Sequence, residues 1–384
     1  MRSECYKFAA LITIFTVFYV QQAVAQQILT GILEHELTFG AENSLGEYRL
    51  SQTVSLVADE AGNIAAADAH LIKIFDRSGR GRSILGNSGE FSTLIDLFTA
   101  PSGYLTALSV NGYSVFSPDY TFLNRSVFSG GESFLRVLRQ LTLTMSMPEK
   151  IVALNEREVL FSGEASGYRG DRSVWYSRVL LYDDGGTLRK LGQYEIMNKI
   201  WTGKQSHTVK LLGEFHWVVL PGRMIVYTHT GYDKRVGRGG ETYLLHRKSL
   251  DGDETAVYEI PYGPVAVPDS IIRKSGPGLY PPDMSFEEVR NIFRNAYLKA
   301  EFLPPVRELF YDNARLFIVT YNYSRENGYF TDVVDTENGR YTASVYFPFL
   351  PAFIRNGRAY RIYWEEQKLP KIEVYRIDPV VYDR

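Results

Sequence analysis

The chain has 384 residues, 45% of them hydrophobic, so it is long enough to bury a sizeable core. Its formal net charge of −2 gives no support to binding of nucleic acid through the phosphates. The single cysteine, Cys5, precedes the apolar segment near the N-terminus, so the remainder of the chain has no thiol for a disulfide or for metal coordination.

The first 25 residues have the pattern of a secretory signal peptide. Arg2 and Lys7 precede an apolar stretch at 8–20, and Ala-Val-Ala at 23–25 fits the small-residue rule for cleavage. The apolar core is short for a membrane span, and an N-terminal anchor is the alternative interpretation. We therefore predict export, to the periplasm or to the outside of the cell, of a mature chain 26–384 without a transmembrane span.

The first part of the mature chain predicts β-structure. Residues 28–39 predict one strand, and residues 54–86 contain four short runs separated by Asp-x-x-Gly and Gly-Asn turn signals. Four such runs predict an antiparallel meander, which is the unit of one blade of a β-propeller. In a propeller the strand 28–39 would pair with the last blade and close the ring, so that no sheet edge stays open.

The turns of this first unit carry a family resemblance. They are similar to the NHL-type repeat of six-bladed propellers at 59–64 (Asp-Glu-Ala-Gly-Asn-Ile), 67–68 (Ala-Asp), 72–76 (Ile-Lys-Ile-Phe-Asp) and Gly79. Gly-Glu-Phe at 89–91 resembles the start of a next repeat, although the usual Pro is missing after it. Residues 303–310 and 341–351 resemble exported bacterial six-bladed propellers of unassigned function. The resemblance implies the fold alone, because propellers host lyases, hydrolases, ligand sensors and interaction modules.

Five further units continue the rhythm of strands and turns, at 94–128, 150–195, 211–260, 306–347 and 352–377. The last of them contains Asn356-Gly357, the strongest short hairpin signal in the chain. The sequence therefore predicts an all-β fold, a six-bladed β-propeller over 26–384 with one helical insert.

The insert is predicted at about 283–301. Ser285 and Glu288 form a capping box, and apolar residues recur at helical spacing from Phe286 to Tyr297. Such a helix is either structural cover on the propeller rim or a lid over one mouth of the central channel.

The long connections predict where a ligand is contacted. Because successive strands alternate in direction, the loops predicted at 163–172, 228–241 and 322–327 share one face with the insert at 262–305. Their Arg and Tyr side chains suit an acidic glycan, another anionic small molecule or a partner protein, although ordinary solvated loops are the alternative. The candidate ligand-binding residues are Tyr168, Arg169, Arg172, His229, Tyr232, Arg235, Arg238, Arg307 and Arg325.

Motifs for catalysis are missing from the sequence. None of the six histidines forms H-x-x-x-H or H-E-x-x-H, and no G-x-S-x-G elbow is present. Asp59, Asp68, Asp312 and Asp335 fall at repeat turns, so we predict structural roles for them, and we predict no cofactor and no metal ligand. The leading hypothesis is an exported, non-catalytic binding or interaction propeller. The alternative is a metal-dependent lyase or lactone hydrolase with a calcium or zinc ion in the central channel, for which the sequence identifies no catalytic residue.

Overall fold

The computed structural model describes residues 28–40, 46–86, 91–128, 143–145, 148–168, 174–196, 199–202, 205–208, 213–237, 240–274, 284–366 and 368–383. The predicted signal peptide lies outside these residues. Within them the chain forms short strands, rich in Val, Ile, Tyr and Phe, that are joined by turns of Gly, Asn and Asp.

The strands of the first half form three blades. Two strands come first, β1 (Ile28–Leu29) and β2 (Leu33–Phe39). Blade 1 consists of β3 (Thr53–Ala58), β4 (Ile64–Asp68), β5 (Leu71–Phe75) and β6 (Gly81–Leu85). Blade 2 consists of β7 (Leu94–Thr99), β8 (Leu105–Ser109), β9 (Gly112–Phe116) and β10 (Phe122–Val127). Blade 3 consists of β11 (Thr144–Met145), β12 (Lys150–Ala153), β13 (Val159–Tyr168), β14 (Val174–Asp183) and β15 (Leu188–Glu195).

The second half forms the other three blades. A hairpin, β16 (Lys199–Thr202) and β17 (Gln205–Thr208), follows blade 3. Blade 4 consists of β18 (Phe215–Leu220), β19 (Met224–His229), β20 (Lys234–Gly237), β21 (Gly240–Ser249) and β22 (Glu254–Pro261). Two helices follow, α1 (Asp269–Lys274) and α2 (Phe286–Tyr297). Blade 5 consists of β23 (Glu308–Asp312), β24 (Arg315–Ser324), β25 (Gly328–Asp335) and β26 (Tyr341–Phe347), and blade 6 of β27 (Phe353–Arg355), β28 (Arg358–Tyr363) and β29 (Lys371–Ile377).

The pairing of these strands confirms the six-bladed propeller. Each blade is antiparallel, and the described apolar residues form six clusters, each of which joins two neighbouring blades. The sixth cluster joins blade 6 to blade 1, so the ring is closed by packing as well as by strand pairing. Burial of these apolar faces is the main stabilising contribution in a chain whose described residues contain no cysteine.

The N-terminal segment closes the ring, but not as one strand. β2 pairs antiparallel with β29 and supplies the fourth strand of blade 6, as predicted. Gly31 has a φ of +65°, a left-handed conformation that suits glycine, and it ends the extended run. β1 therefore leaves blade 6 and pairs parallel with β26 of blade 5. The single strand predicted over 28–39 was wrong because the sequence does not show which sheet edge each half meets.

The turn aspartates have the structural roles that the sequence predicted. Asp59 accepts hydrogen bonds from the backbone and side-chain nitrogens of Asn63, at 2.8 and 2.7 Å. Asp68 accepts hydrogen bonds from the backbone nitrogens of Ser51 and Gln52 and from the ammonium of Lys73. The side chains of the other two, Asp312 and Asp335, accept backbone hydrogen bonds from the residue pairs 356–357 and 337–338. These carboxylates are thus already occupied by the fold.

Helix α2 begins as predicted. The Ser285 hydroxyl accepts from the Glu288 backbone nitrogen at 3.3 Å, and the Glu288 carboxylate accepts from the Ser285 backbone nitrogen at 2.8 Å. The helix buries Val289, Phe293 and Ala296 on one side. The short helix α1 was not predicted.

Candidate functional site

Three hairpins of blades 3 to 5 are longer than those of the first blades. β13, β14 and β24 each have ten residues, whereas the strands of blade 1 have five or six. Within the described residues, the loops predicted at 163–172, 228–241 and 322–327 are strand at 163–168, 228–229, 234–237, 240–241 and 322–324 and turn at 230–233 and 325–327, so the prediction of loops was wrong in part. Continued pairing satisfies the backbone polar groups of these extensions, which a free loop would leave to solvent.

The described residues at the distal ends of hairpins β13–β14, β20–β21 and β24–β25, with hairpin β16–β17 and helix α2, form what we call the hairpin face. Contacts between these elements show that they are neighbours. The Tyr232 hydroxyl donates to the Glu195 carbonyl oxygen at 2.6 Å, and the rings of Tyr176 and Trp201 lie 6.3 Å apart. Helix α2 contacts β16. Turns such as that at 59–63 lie on the opposite face, since strand direction alternates along each blade.

Large apolar side chains are exposed on the hairpin face. The exposed fraction exceeds one third for Trp201, Tyr232, Phe286, Leu298 and Tyr323, which belong to four different elements of this face. Apolar side chains exposed together on one side of a protein mark a binding surface more often than the same side chains scattered singly.

His229 is the last residue of β19, Tyr232 lies in the turn that follows it, and the two differ in exposure. His229 is 4% exposed, its ring stacks on Tyr194 with centroids 4.7 Å apart, and its Nδ1 accepts from the backbone nitrogens of Gly231 and Tyr232. Burial lowers the pKa of His229 to about 4, so the imidazole is neutral at pH 7. His229 therefore shapes the turn, and Tyr232 is the exposed member of the pair.

Arg307 is half-buried between two tyrosines of blade 5. Its guanidinium carbon lies 5.5 Å from the ring centroid of Tyr321 and 4.9 Å from that of Tyr329. The Tyr321 hydroxyl donates to the Glu214 carboxylate at 3.3 Å, and the Glu214 backbone nitrogen donates to the Thr230 hydroxyl at 2.9 Å. This chain of contacts joins Arg307 to the turn that holds His229 and Tyr232.

The other candidate residues fall at hairpin ends. Arg235 on β20 and Arg325 between β24 and β25 are exposed. Tyr168 is the last residue of β13. Arg169, Arg172 and Arg238 lie outside the described residues. The structure thus places His229, Tyr232, Arg235, Arg307 and Arg325 on one face, while their contact with a ligand stays a prediction.

A groove between blades 4 and 5 opens on the same face and was not predicted from the sequence. It has a volume of about 320 Å³ and is lined by Glu241, Tyr262, Leu303, Pro304, Tyr321, Phe330 and Asp332, among others. Asp332 is 3% exposed, and burial raises its pKa to about 7. The signal in the sequence was a carboxylate inside the apolar strand β25, where a charge conflicts with burial.

The central channel holds a second cavity, of about 290 Å³, lined by the first strands of all six blades. The Lys150 ammonium donates to the Trp217 carbonyl oxygen at 2.6 Å, and burial lowers the pKa of Lys150 to about 8. The Ser55 hydroxyl donates to the Asp96 carboxylate, whose pKa is raised by burial. Arg355 lines the channel and pairs with Glu60.

The donor set of the channel does not fit a resident calcium or zinc ion. Calcium takes six to eight converging oxygen ligands, and zinc takes imidazole, thiolate or carboxylate groups. The channel instead places Lys150 and Arg355 among its carboxylates, and none of its described lining residues is a histidine. Across the parts of the chain that the structure describes, no group of three or more His, Cys, Asp or Glu residues is arranged to hold a metal ion.

Comparison with known proteins gives matches of structure and none of sequence. No protein-family profile and no curated protein matches the chain. A gluconolactonase from Xanthomonas campestris matches with a TM-score of 0.42 and 8% identity over 90% of this chain and 98% of its own. A calcium-binding regucalcin from Agrobacterium tumefaciens matches with a TM-score of 0.38 and 10% identity over 86% and 92%. A chain of the mitotic checkpoint complex matches with a TM-score of 0.40 and 8% identity over 92% and 94%.

Identities this low carry no information on function. Among the described helices, none is both long and apolar enough to cross a membrane. The strand pairing of the structure itself establishes the fold, a six-bladed β-propeller.

Proposed function

We propose that this protein is an exported, non-catalytic binding propeller that contacts its ligand or partner through the hairpin face. The observation that carries the proposal is the exposure of aromatic and arginine side chains, Tyr232, Tyr323, Arg235 and Arg325, on extended hairpins of neighbouring blades. Tyr, Trp and Arg are enriched at binding interfaces because they combine a large contact area with hydrogen-bond donors.

The ligand class follows from the charge of these side chains. Neither Arg235 nor Arg325 forms an ion pair with a described residue, whereas on the opposite face Arg189 pairs with Asp251 and Arg223 with Glu158. Exposed arginines that pair with no described residue suit an anionic group, since the guanidinium binds carboxylate or sulfate through two parallel hydrogen bonds. We therefore propose an acidic glycan, with an acidic surface of a partner protein as the alternative source of the same chemistry.

Export rests on the N-terminal pattern of basic, apolar and small residues at 1–25. The NHL-type assignment rests on the repeat that begins at Asp59, whose turn has the hydrogen bonds expected of an Asp-x-x-Gly-Asn sequence. The metal-dependent lyase or lactone hydrolase receives no support from the donor set of the channel.

The proposed face is tested with a sulfated heparin hexasaccharide and a galacturonate hexasaccharide as probes. For whichever hexasaccharide the wild type binds, the double variant Arg235→Ala, Arg325→Ala should have a Kd about tenfold or more higher, because two charge-assisted contacts are lost. Arg157→Ala, at an exposed position on the opposite face, is the matched control and should bind like the wild type. Equal binding by the double variant contradicts the assignment of the face. If the wild type binds neither hexasaccharide, the glycan assignment is wrong.

A further inference from the structure

We propose that the groove between blades 4 and 5 is a binding site for a small organic cation, a primary ammonium or a guanidinium, with Asp332 as its anionic floor and Tyr262 and Tyr321 as its aromatic walls. This site lies beside Arg307, which contacts its wall residue Tyr321, and takes ligands of the charge opposite to that proposed for the hairpin face. The inference does not depend on the proposed function.

The groove has the form of a small-ligand site. Blade 4 contributes Pro261 and Tyr262, blade 5 contributes Tyr321 and Phe330, and the link between the blades contributes the segment 303–305. The volume of about 320 Å³ is at the lower end of the range for small-molecule pockets, about 300–1,000 Å³. Two lining parts of the link are held together, because the Leu303 backbone nitrogen donates to the Val265 carbonyl oxygen at 2.7 Å.

Asp332 has one oxygen engaged and one oxygen available. The hydroxyls of Tyr341 and Ser344 both donate to Oδ1, each at 3.1 Å. No described residue donates to Oδ2, although the side chain is almost fully buried and lines the groove. Burial of a carboxyl group disfavours its charged form, so without a further donor Asp332 takes up a proton more readily than an exposed aspartate does. A bound cation supplies both the missing donor and the opposite charge.

The rim of the groove already holds one ammonium group of this chain. The Lys234 Nζ lies 3.7 Å from the Glu241 carboxylate, 5.6 Å from the ring centroid of Tyr262 and 5.3 Å from that of Phe302. A cation between aromatic rings and a carboxylate is the arrangement that we infer for the ligand deeper in the groove.

The titratable and charged groups around Asp332 lie on several different elements. Tyr341 on β26 and Tyr243 on β21 are neutral at pH 7, since burial raises the pKa of each. Glu241 is the second carboxylate of the groove, and Lys234 is the cation at its rim. Arg307 lies against the ring of Tyr321 and is not a lining residue. The described lining residues therefore carry acidic groups and no basic group.

The test is isothermal titration calorimetry with methylguanidinium and butylammonium as probes and 1-butanol as the neutral probe. The wild type should bind at least one cation in the millimolar range or more tightly, and the cation should bind at least tenfold more tightly than 1-butanol. Asp332→Asn should weaken cation binding at least tenfold, because the amide can accept from Tyr341 and Ser344 through Oδ1 while its NH₂ group faces the groove. Asp253→Asn, at an exposed position outside the groove, should leave binding unchanged.

A circular dichroism spectrum and a melting curve establish that each variant folds. If Asp332→Asn does not fold, Glu241→Gln tests the second carboxylate and should weaken binding at least threefold. The proposal is overturned if the wild type binds neither cation at 10 mM, if 1-butanol binds as tightly as the cations, or if the foldable carboxylate variant retains wild-type affinity.

Discussion

Replacement of Asp332 by Asn should make the stability of the protein less dependent on pH. Burial raises the pKa of Asp332 from its ordinary value of 3.8 to about 7, with hydrogen bonds from Tyr341 and Ser344 opposing this shift. The folded state therefore binds the Asp332 proton more tightly than the unfolded state does. The resulting stabilisation is present in full below about pH 4 and is lost as the pH rises through 7.

The size of the effect follows from the same pKa values. The difference between 3.8 and about 7 corresponds to about 4 kcal/mol of unfolding free energy, which is the upper limit for this site. Relative to wild type, Asp332→Asn should thus gain stability between pH 4 and pH 8, by as much as this limit. Above pH 8 the difference should become constant.

Urea unfolding at half-unit pH intervals from 4 to 8.5, followed by tryptophan fluorescence, measures this difference by linear extrapolation. Asp253→Asn removes an exposed carboxylate and is the control for the general effect of a lost negative charge. A free-energy difference between Asp332→Asn and wild type that stays constant over this range would refute the assignment of Asp332 as a buried, proton-binding carboxyl.

Two further predictions concern the turn of His229 and the channel. Because burial lowers the pKa of His229 to about 4, the folded state binds this proton less tightly than the unfolded state, so wild type should lose stability relative to His229→Asn as the pH falls from 7 to 4. Urea unfolding at pH 7, 5.5 and 4 measures the difference in unfolding free energy between the two proteins. A difference that does not change with pH contradicts a buried, neutral imidazole. Elemental analysis of the purified protein should find no stoichiometric calcium or zinc, and the melting temperature should stay the same after treatment with EDTA. About one ion per chain and a lower melting temperature would instead support the lyase or lactone hydrolase.

The blades were predictable because each depends on neighbouring parts of the chain. A blade consists of successive antiparallel strands joined by tight turns, and the conformation of each turn depends on residues adjacent in the sequence. Asn356 and Gly357, with φ values of +53° and +69°, join β27 to β28 with the left-handed conformations that the Asn-Gly signal predicts. Ser285 and Glu288, three residues apart, likewise predicted the start of α2.

The features that were not predicted depend on residues distant in sequence. The extension of β24 into a ten-residue strand requires β25 as its partner, and composition rich in Tyr and Asn at 321–324 is also compatible with a loop. The groove arises where blade 4 meets blade 5, so Glu241 and Asp332 are brought together by packing of two sheets. The spacing of residues in the sequence does not predict a contact between side chains of two different blades.

The most direct test of the hairpin face is hydrogen exchange of the wild-type protein with and without the hexasaccharide that it binds. Binding at this face should slow exchange of backbone amides in β16, in the turn 230–233 and in the segment 322–329. Exchange at the opposite turns, 59–63 and 76–80, should not change. Protection confined to those opposite turns, or to the strands that line the channel, would contradict the account.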